Sequence, residues 1–106
     1  MLSLSVLSLE YVLVPVSAKE NGVAVDISGD VVALAFTLQD VAPLSGDWEA
    51  ATWETDATTT PDTYLAKCLV GPGGAATLSA GTYDVYVKVT DSPEIMVRKA
   101  GNLEVT

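Results

Sequence analysis

What chemical potential this chain has lies in a run of acids, two tryptophans and one cysteine. Asp47, Glu49, Glu54, Asp56 and Asp62 gather around the Trp48–Trp53 segment. Several carboxylates in one place suit a hard cation such as calcium. The spacing holds no Asp-x-Asp-x-Asp-Gly loop, so the cluster reads as a solvated acidic rim and no metal site is expected. Glu49 and Glu54 could flank a glycosidic bond as a carboxylate pair, but that chemistry needs a deeper cleft than a 106-residue chain offers. The sequence has no histidine, which removes the Ser-His-Asp triad, the Cys-His pair and every His-bearing zinc site. Gly71-Pro72-Gly73-Gly74 lacks the Lys-Ser/Thr ending and following helix of a phosphate loop and reads as a turn. Neither catalysis nor a cofactor is expected.

Cys68 is the sole cysteine, so no internal disulfide can form and folding in a reducing cell is expected. It sits in Tyr64-Leu65-Ala66-Lys67-Cys68-Leu69-Val70, which alternates like a strand. The one adjacent cation, Lys67, would then point to the opposite face, and a thiolate needs a cation or a helix N-terminus beside it. The expectation is a buried structural thiol. Trp48 and Trp53 are five residues apart, which on a regular strand puts them on opposite faces. One belongs to the core, and the other is a contact residue.

Charge narrows the partners. Lys and Arg number 5 against 14 Asp and Glu, for a net charge of -9. No basic footprint exists for nucleic-acid phosphates or for anionic membranes. Lys19, Lys67, Lys88, Arg98 and Lys99 are scattered singly and guard strand edges. Hydrophobic residues make up 49% of the chain and charged ones only 18%. A domain this small hides only about 60–65% of its unfolded surface. Apolar patches therefore stay outside, where they mark subunit contacts, while the acidic surplus keeps the free subunit soluble.

The elements that carry these residues are strands. Leu2, Leu4 and Val6 alternate with serines, and residues 2–9 read as the first strand rather than a signal peptide, since no cation precedes Lys19 and Glu10 interrupts the apolar run. Tyr11–Val16 follows, with Pro15 marking an edge or a bend. Lys19-Glu20-Asn21-Gly22 signals a hairpin leading into Val23, Val25 and Ile27. Val31–Leu38 is the most apolar run and is expected at the sheet centre. Trp48–Glu54, Tyr64–Val70 and a short piece at Ala76–Leu78 come next. Thr82–Thr90 alternates Tyr83, Val85, Val87 and Val89 against Asp84, Tyr86 and Lys88. Ile95–Arg98 and Asn102–Val105 close the chain. No segment sustains helical spacing, and no run approaches the roughly 20 apolar residues of a membrane helix. One soluble, all-β domain over residues 1–106 is expected.

Leu78-Ser79-Ala80-Gly81-Thr82-Tyr83-Asp84-Val85 resembles the corner of an immunoglobulin-type sandwich, where a Gly-x-Tyr turn enters a strand and the tyrosine hydroxyl bonds back to the backbone. Val85 falls where antibody domains carry their second cysteine. The expected fold is an Ig-like antiparallel β-sandwich of seven to eight strands.

Longer stretches resemble small virion proteins of tailed phages infecting actinobacteria. They are Ala80 to Glu94 with Val97 to Val105, Gly46-Asp47-Trp48 through Trp53-Glu54-Thr55, Tyr64 to Pro72, and Glu10 to Val16. The resemblance implies a non-enzymatic part of the particle, made in the bacterial cytoplasm. It would sit on the head or in the head–tail connector region, contacting copies of itself and capsid, portal, connector or tail subunits. The expected contacts are Leu4 and Val6 on the first strand, Tyr11 and Leu13 on the proline-bearing edge, and Trp48 and Trp53. An alternative is a tail or baseplate module that recognises host-surface carbohydrate through Trp48, Trp53 and the acidic loop.

Overall fold

Branched apolar side chains alternating with polar ones give nine strands among the described residues, which are 2–17, 19–20, 23–24, 27–56, 58, 63–91 and 94–106 of a computed structural model. The strands are β1 (Leu2–Leu4), β2 (Glu10–Val16), β3 (Lys19–Glu20), β4 (Val23–Ala24), β5 (Val31–Leu38), β6 (Trp48–Asp56), β7 (Thr63–Val70), β8 (Gly81–Asp91) and β9 (Glu94–Val105). A 3₁₀ turn, Ser45–Asp47, precedes β6. Seven strands form one mixed sheet in the order β1-β9-β8-β5-β6-β7-β2, curled until it is nearly a barrel. All neighbours are antiparallel except β1 and β9, which run parallel, so the expectation of a purely antiparallel fold is corrected.

The curl comes from β6. Its first half, Trp48 to Ala51, pairs with β5, and its second half, Thr52 to Asp56, pairs with β7. One strand thereby belongs to both halves of the molecule and turns the sheet back on itself. β5 lies at the centre, as its composition predicts, with Leu34 and Ala35 fully buried. Val12, Val14, Val16, Leu34, Cys68, Val70, Val85, Val87, Val89, Leu103 and Val105 fill the interior. Each such aliphatic side chain contributes about 1.5–3 kcal/mol by leaving water. β2 is an edge, as Pro15 requires. Between it and β9 a cleft of about 250 Å³ remains, lined by Leu13, Val14, Pro15, Val85 and Ala100 among others.

Several boundaries differ from the sequence expectation. The first strand ends at Leu4 instead of Leu9, because Ser5 starts a turn: its Oγ accepts the Leu7 N–H at 3.2 Å and its carbonyl accepts the Ser8 N–H at 3.0 Å. The last two expected pieces are one twelve-residue strand, β9. Val85 faces Gly101 while Tyr86 faces Lys99, so Ala100 is the extra residue of a bulge. The piece at Ala76–Leu78 is only an isolated parallel bridge from Ala76 to Val70. β3 and β4 pair as the hairpin signal predicts, while Asn21, Gly22 and Val25 lie outside the described residues.

The glycine-rich turn after β7 is placed by close approach. Gly71 is buried at φ +137°, and a Cβ there would run into the Ser8 carbonyl. Gly73, at φ +81°, also occupies a region that glycine alone enters freely.

Candidate interaction surfaces

Alternation along β2 buries Val12, Val14 and Val16 and leaves Tyr11, Leu13 and Pro15 outside. Register places Leu69, Lys67 and Leu65 of β7 beside them on the same outer face. Tyr11 and Leu13, both predicted contacts, therefore lie together. Lys67 crosses this face: its Nζ sits 5.0 Å from the Tyr11 ring centroid and 3.7 Å from a Glu54 carboxylate oxygen. The lysine stem covers apolar surface while its head stays in water.

The two tryptophans do face opposite ways on β6. Trp53 packs against the core, and its indole N–H donates to the Asp30 carbonyl at 2.8 Å. Trp48 stands on the other face, across the strands from Ala35 and Tyr86, with the Lys88 ammonium 4.7 Å from its ring centroid. Trp53 is thus the tryptophan that joins the core, and Trp48 is the one on the outer face. The two rings cannot form one stacking platform. Leu4 packs against the core, whereas Val6 is exposed in the turn after β1.

Among the described residues the acids do not converge. Glu49 and Glu54 are an odd number of residues apart on one strand and point to opposite faces. Asp56 closes a local turn with Thr58, whose hydroxyl and N–H both donate to it and hold its carboxyl below the usual range. Asp62 lies outside the described residues. Among the described residues no group of three or more His, Cys, Asp or Glu side chains could hold a metal. Cys68 is buried on the inner face, where desolvation, helped by the Glu49 charge, pushes its thiol up to about 11. At neutral pH it is a protonated core side chain.

Compared with known proteins, the chain matches no family model, no curated protein and no solved structure.

Two features were not visible in the sequence. Asp84, which alternates with Tyr83 and Val85 along β8, is fully buried. Its Oδ2 accepts the Asp40 N–H at 2.9 Å, and its Oδ1 accepts the Asn102 amide at 2.9 Å and lies 3.3 Å from Lys99 Nζ. Asp40 holds φ +66°, and the Thr37 hydroxyl donates to the Val41 carbonyl beside it, so the turn after β5 folds down over the carboxylate. The second feature is an apolar end to the molecule: Val6, Leu7, Leu9, Leu38, Val41 and Leu44 are all exposed where β1, β5, β7 and β9 finish. Leu38, Val41 and Leu44 sit among Asp, Pro and Gly, whose turn signal masks the apolar residues between them.

Proposed function

We propose that this chain is a non-enzymatic structural protein of a phage virion, built as an Ig-like β-sandwich and working through subunit–subunit contacts on the head or in the head–tail connector region. The Ig-like reading is supported by a strand order in which β8 lies between β5 and β9, β1 runs parallel to β9, and β6 crosses from one half to the other. It is supported further by Tyr83, whose hydroxyl donates to the Ser79 carbonyl at 2.9 Å, four residues upstream at the entry to β8.

The observation that carries the functional reading is the distribution of apolar surface. Eleven large hydrophobic side chains are exposed among the described residues, six of them at the end where β1, β5, β7 and β9 finish and two, Tyr11 and Leu13, on the outer face of β2. Contiguous apolar patches mark contact surfaces. The reactive groups point the same way by their placement: the thiol is buried and protonated, and the carboxylates are dispersed or bonded within the fold. Partners on this reading are further copies of the chain together with capsid, portal, connector or tail subunits. Carbohydrate recognition has weaker support, because Trp53 is tied to Asp30 and the Trp48 ring is covered on one side by Lys88. Mass spectrometry and electron microscopy of purified particles are the test. The chain is expected at stoichiometric copy number with density on the head or connector, and its absence from particles overturns the reading.

A further inference from the structure

The curled sheet stops short of closing. Its order begins at β1 and ends at β2, and β1 covers β9 only at Leu103–Val105. From Glu94 to Asn102 one side of β9 therefore carries backbone N–H and C=O groups with no described strand beside them. The cleft between β2 and β9 follows this stretch. Its 250 Å³ part at Leu13 and Asn102 runs into a second hollow of about 550 Å³ at Ser17 and Met96, the two sharing Val14, Pro15 and Ala100. At about 3.3 Å per residue, Met96 to Asn102 make a lane about 20 Å long.

Register sets Met96 beside Val89 and Arg98 beside Val87, so both lie on the inner face with buried valines. Arg98 is thus a cation on the core side of an apolar lane. One guanidinium nitrogen donates to the Val97 carbonyl at 2.9 Å, and among the described residues no carboxylate pairs with it. Lys99, its neighbour, takes the outer face and is held by Asp84. β2 is the poorer acceptor for a strand, because Pro15 has no N–H and interrupts a ladder at mid-edge.

We infer that this lane receives an extended segment of a partner subunit, which adds as a strand to β9 and sets a carboxylate against Arg98. The inference rests on the proposal that the protein works through contacts between subunits, and it names the surface and the chemistry of what binds there. An unpaired strand edge is satisfied along its length by another extended backbone. β1 already bonds to the same side of β9 at Leu103–Val105, and the segment continues that line. Its alternate side chains point down onto Val14, Val87 and Met96. A wholly apolar strand would bury Arg98 with no counterion, at a desolvation cost that nothing offsets. The lane therefore selects a strand with an acidic residue on its inward face. β9 of a second copy is a poor match: laid antiparallel about its middle, it brings Arg98 and Lys99 against their own kind.

Nuclear magnetic resonance of the isotope-labelled full chain tests this. The probe is acetyl-Val-Thr-Val-Thr-Glu-Thr-Val-Thr-amide, which as a strand carries its valines and glutamate on one face. Saturable binding at micromolar to millimolar concentration is expected, with exchange slowed at alternate amides between Met96 and Asn102. Replacing the peptide's glutamate by lysine should weaken binding at least about tenfold. Arg98→Glu should reverse that preference while keeping the circular dichroism of the parent. A proline at the peptide's centre should abolish binding, because backbone bonds carry it. The inference is overturned if neither peptide binds, if the parent takes both equally, or if Arg98→Glu keeps the parent's preference. Protection confined to β2 or to the apolar end overturns it too, as does protection of β9 that rises with protein concentration in the absence of peptide. Presence in particles is read separately. A chain found in virions whose β9 amides ignore both peptides loses this lane and keeps the virion reading, whereas binding by a chain absent from particles does the reverse.

Discussion

Asp84 is the residue whose environment departs furthest from what its type suggests. A carboxylate with no exposure survives only because three donors meet it from separate parts of the chain: the Asp40 backbone, the Asn102 amide and the Lys99 ammonium. Asp84→Ala leaves the Asp40 N–H and the Asn102 amide without their acceptor, and urea denaturation should show a loss of about 2–4 kcal/mol. Lys99 is half-exposed, so Lys99→Ala should cost under about 1 kcal/mol. Equal losses in the two variants would mean that the ion pair, not the neutral donors, holds the carboxylate. Nothing in the local alternation of β8 could have announced this, because the partners come from the turn after β5 and from either side of the β9 bulge. Cys68, by contrast, was legible from its own strand. Its thiol titrates at about 11 when folded and near the ordinary thiol value when unfolded. The stability it contributes is complete below the unfolded value and disappears as pH rises through the folded one. The parent should therefore lose more stability than Cys68→Ala between about pH 9 and 11, and its thiol should react with a disulfide reagent at pH 8 only after denaturation.

At the scale of elements, alternation and proline placed β2 and β5 where they lie, at an edge and at the centre. The sequence was least informative where a tertiary contact set the boundary. Leu2 to Leu9 carries an unbroken apolar pattern, yet the chain turns at Ser5, whose Oγ and carbonyl accept the Leu7 and Ser8 N–H groups, and Gly71 packs its backbone against that turn at Ser8. Lys99-Ala100-Gly101 looks like a break between two strands because glycine weakens a strand on average, but a bulge absorbs it within one. The turns at Gly71 and Tyr83 lock the β7–β8 connection. Gly71→Ala forces a Cβ into the Ser8 carbonyl at a positive φ and should cost about 2 kcal/mol or more in chemical denaturation. Tyr83→Phe removes only the bond to Ser79 and should cost about 0.5–1.5 kcal/mol. If Gly71→Ala proved neutral, the Ser5–Leu9 turn would not be held by the glycine-rich loop.

For the molecule as a whole, the dominant electrostatic fact is a charge of -9 on an 11.0 kDa body. The two ion pairs resolved among the described side chains, Lys67 with Glu54 and Lys99 with Asp84, answer only a small part of it. The remaining acids repel one another more strongly in the compact state than in the expanded chain, so folding works against its own charge. Salt shortens the Debye length from about 10 Å at 0.1 M to about 3 Å at 1 M, which removes repulsion between distant carboxylates before it weakens pairs in contact. Added sodium chloride should therefore raise the urea midpoint of the dilute, monomeric chain. Glu10→Gln combined with Glu104→Gln removes two of the repelling charges and should flatten that rise while raising stability at low salt. A midpoint that fell with salt would mean that attractive pairs, rather than the acidic surplus, govern the folded state.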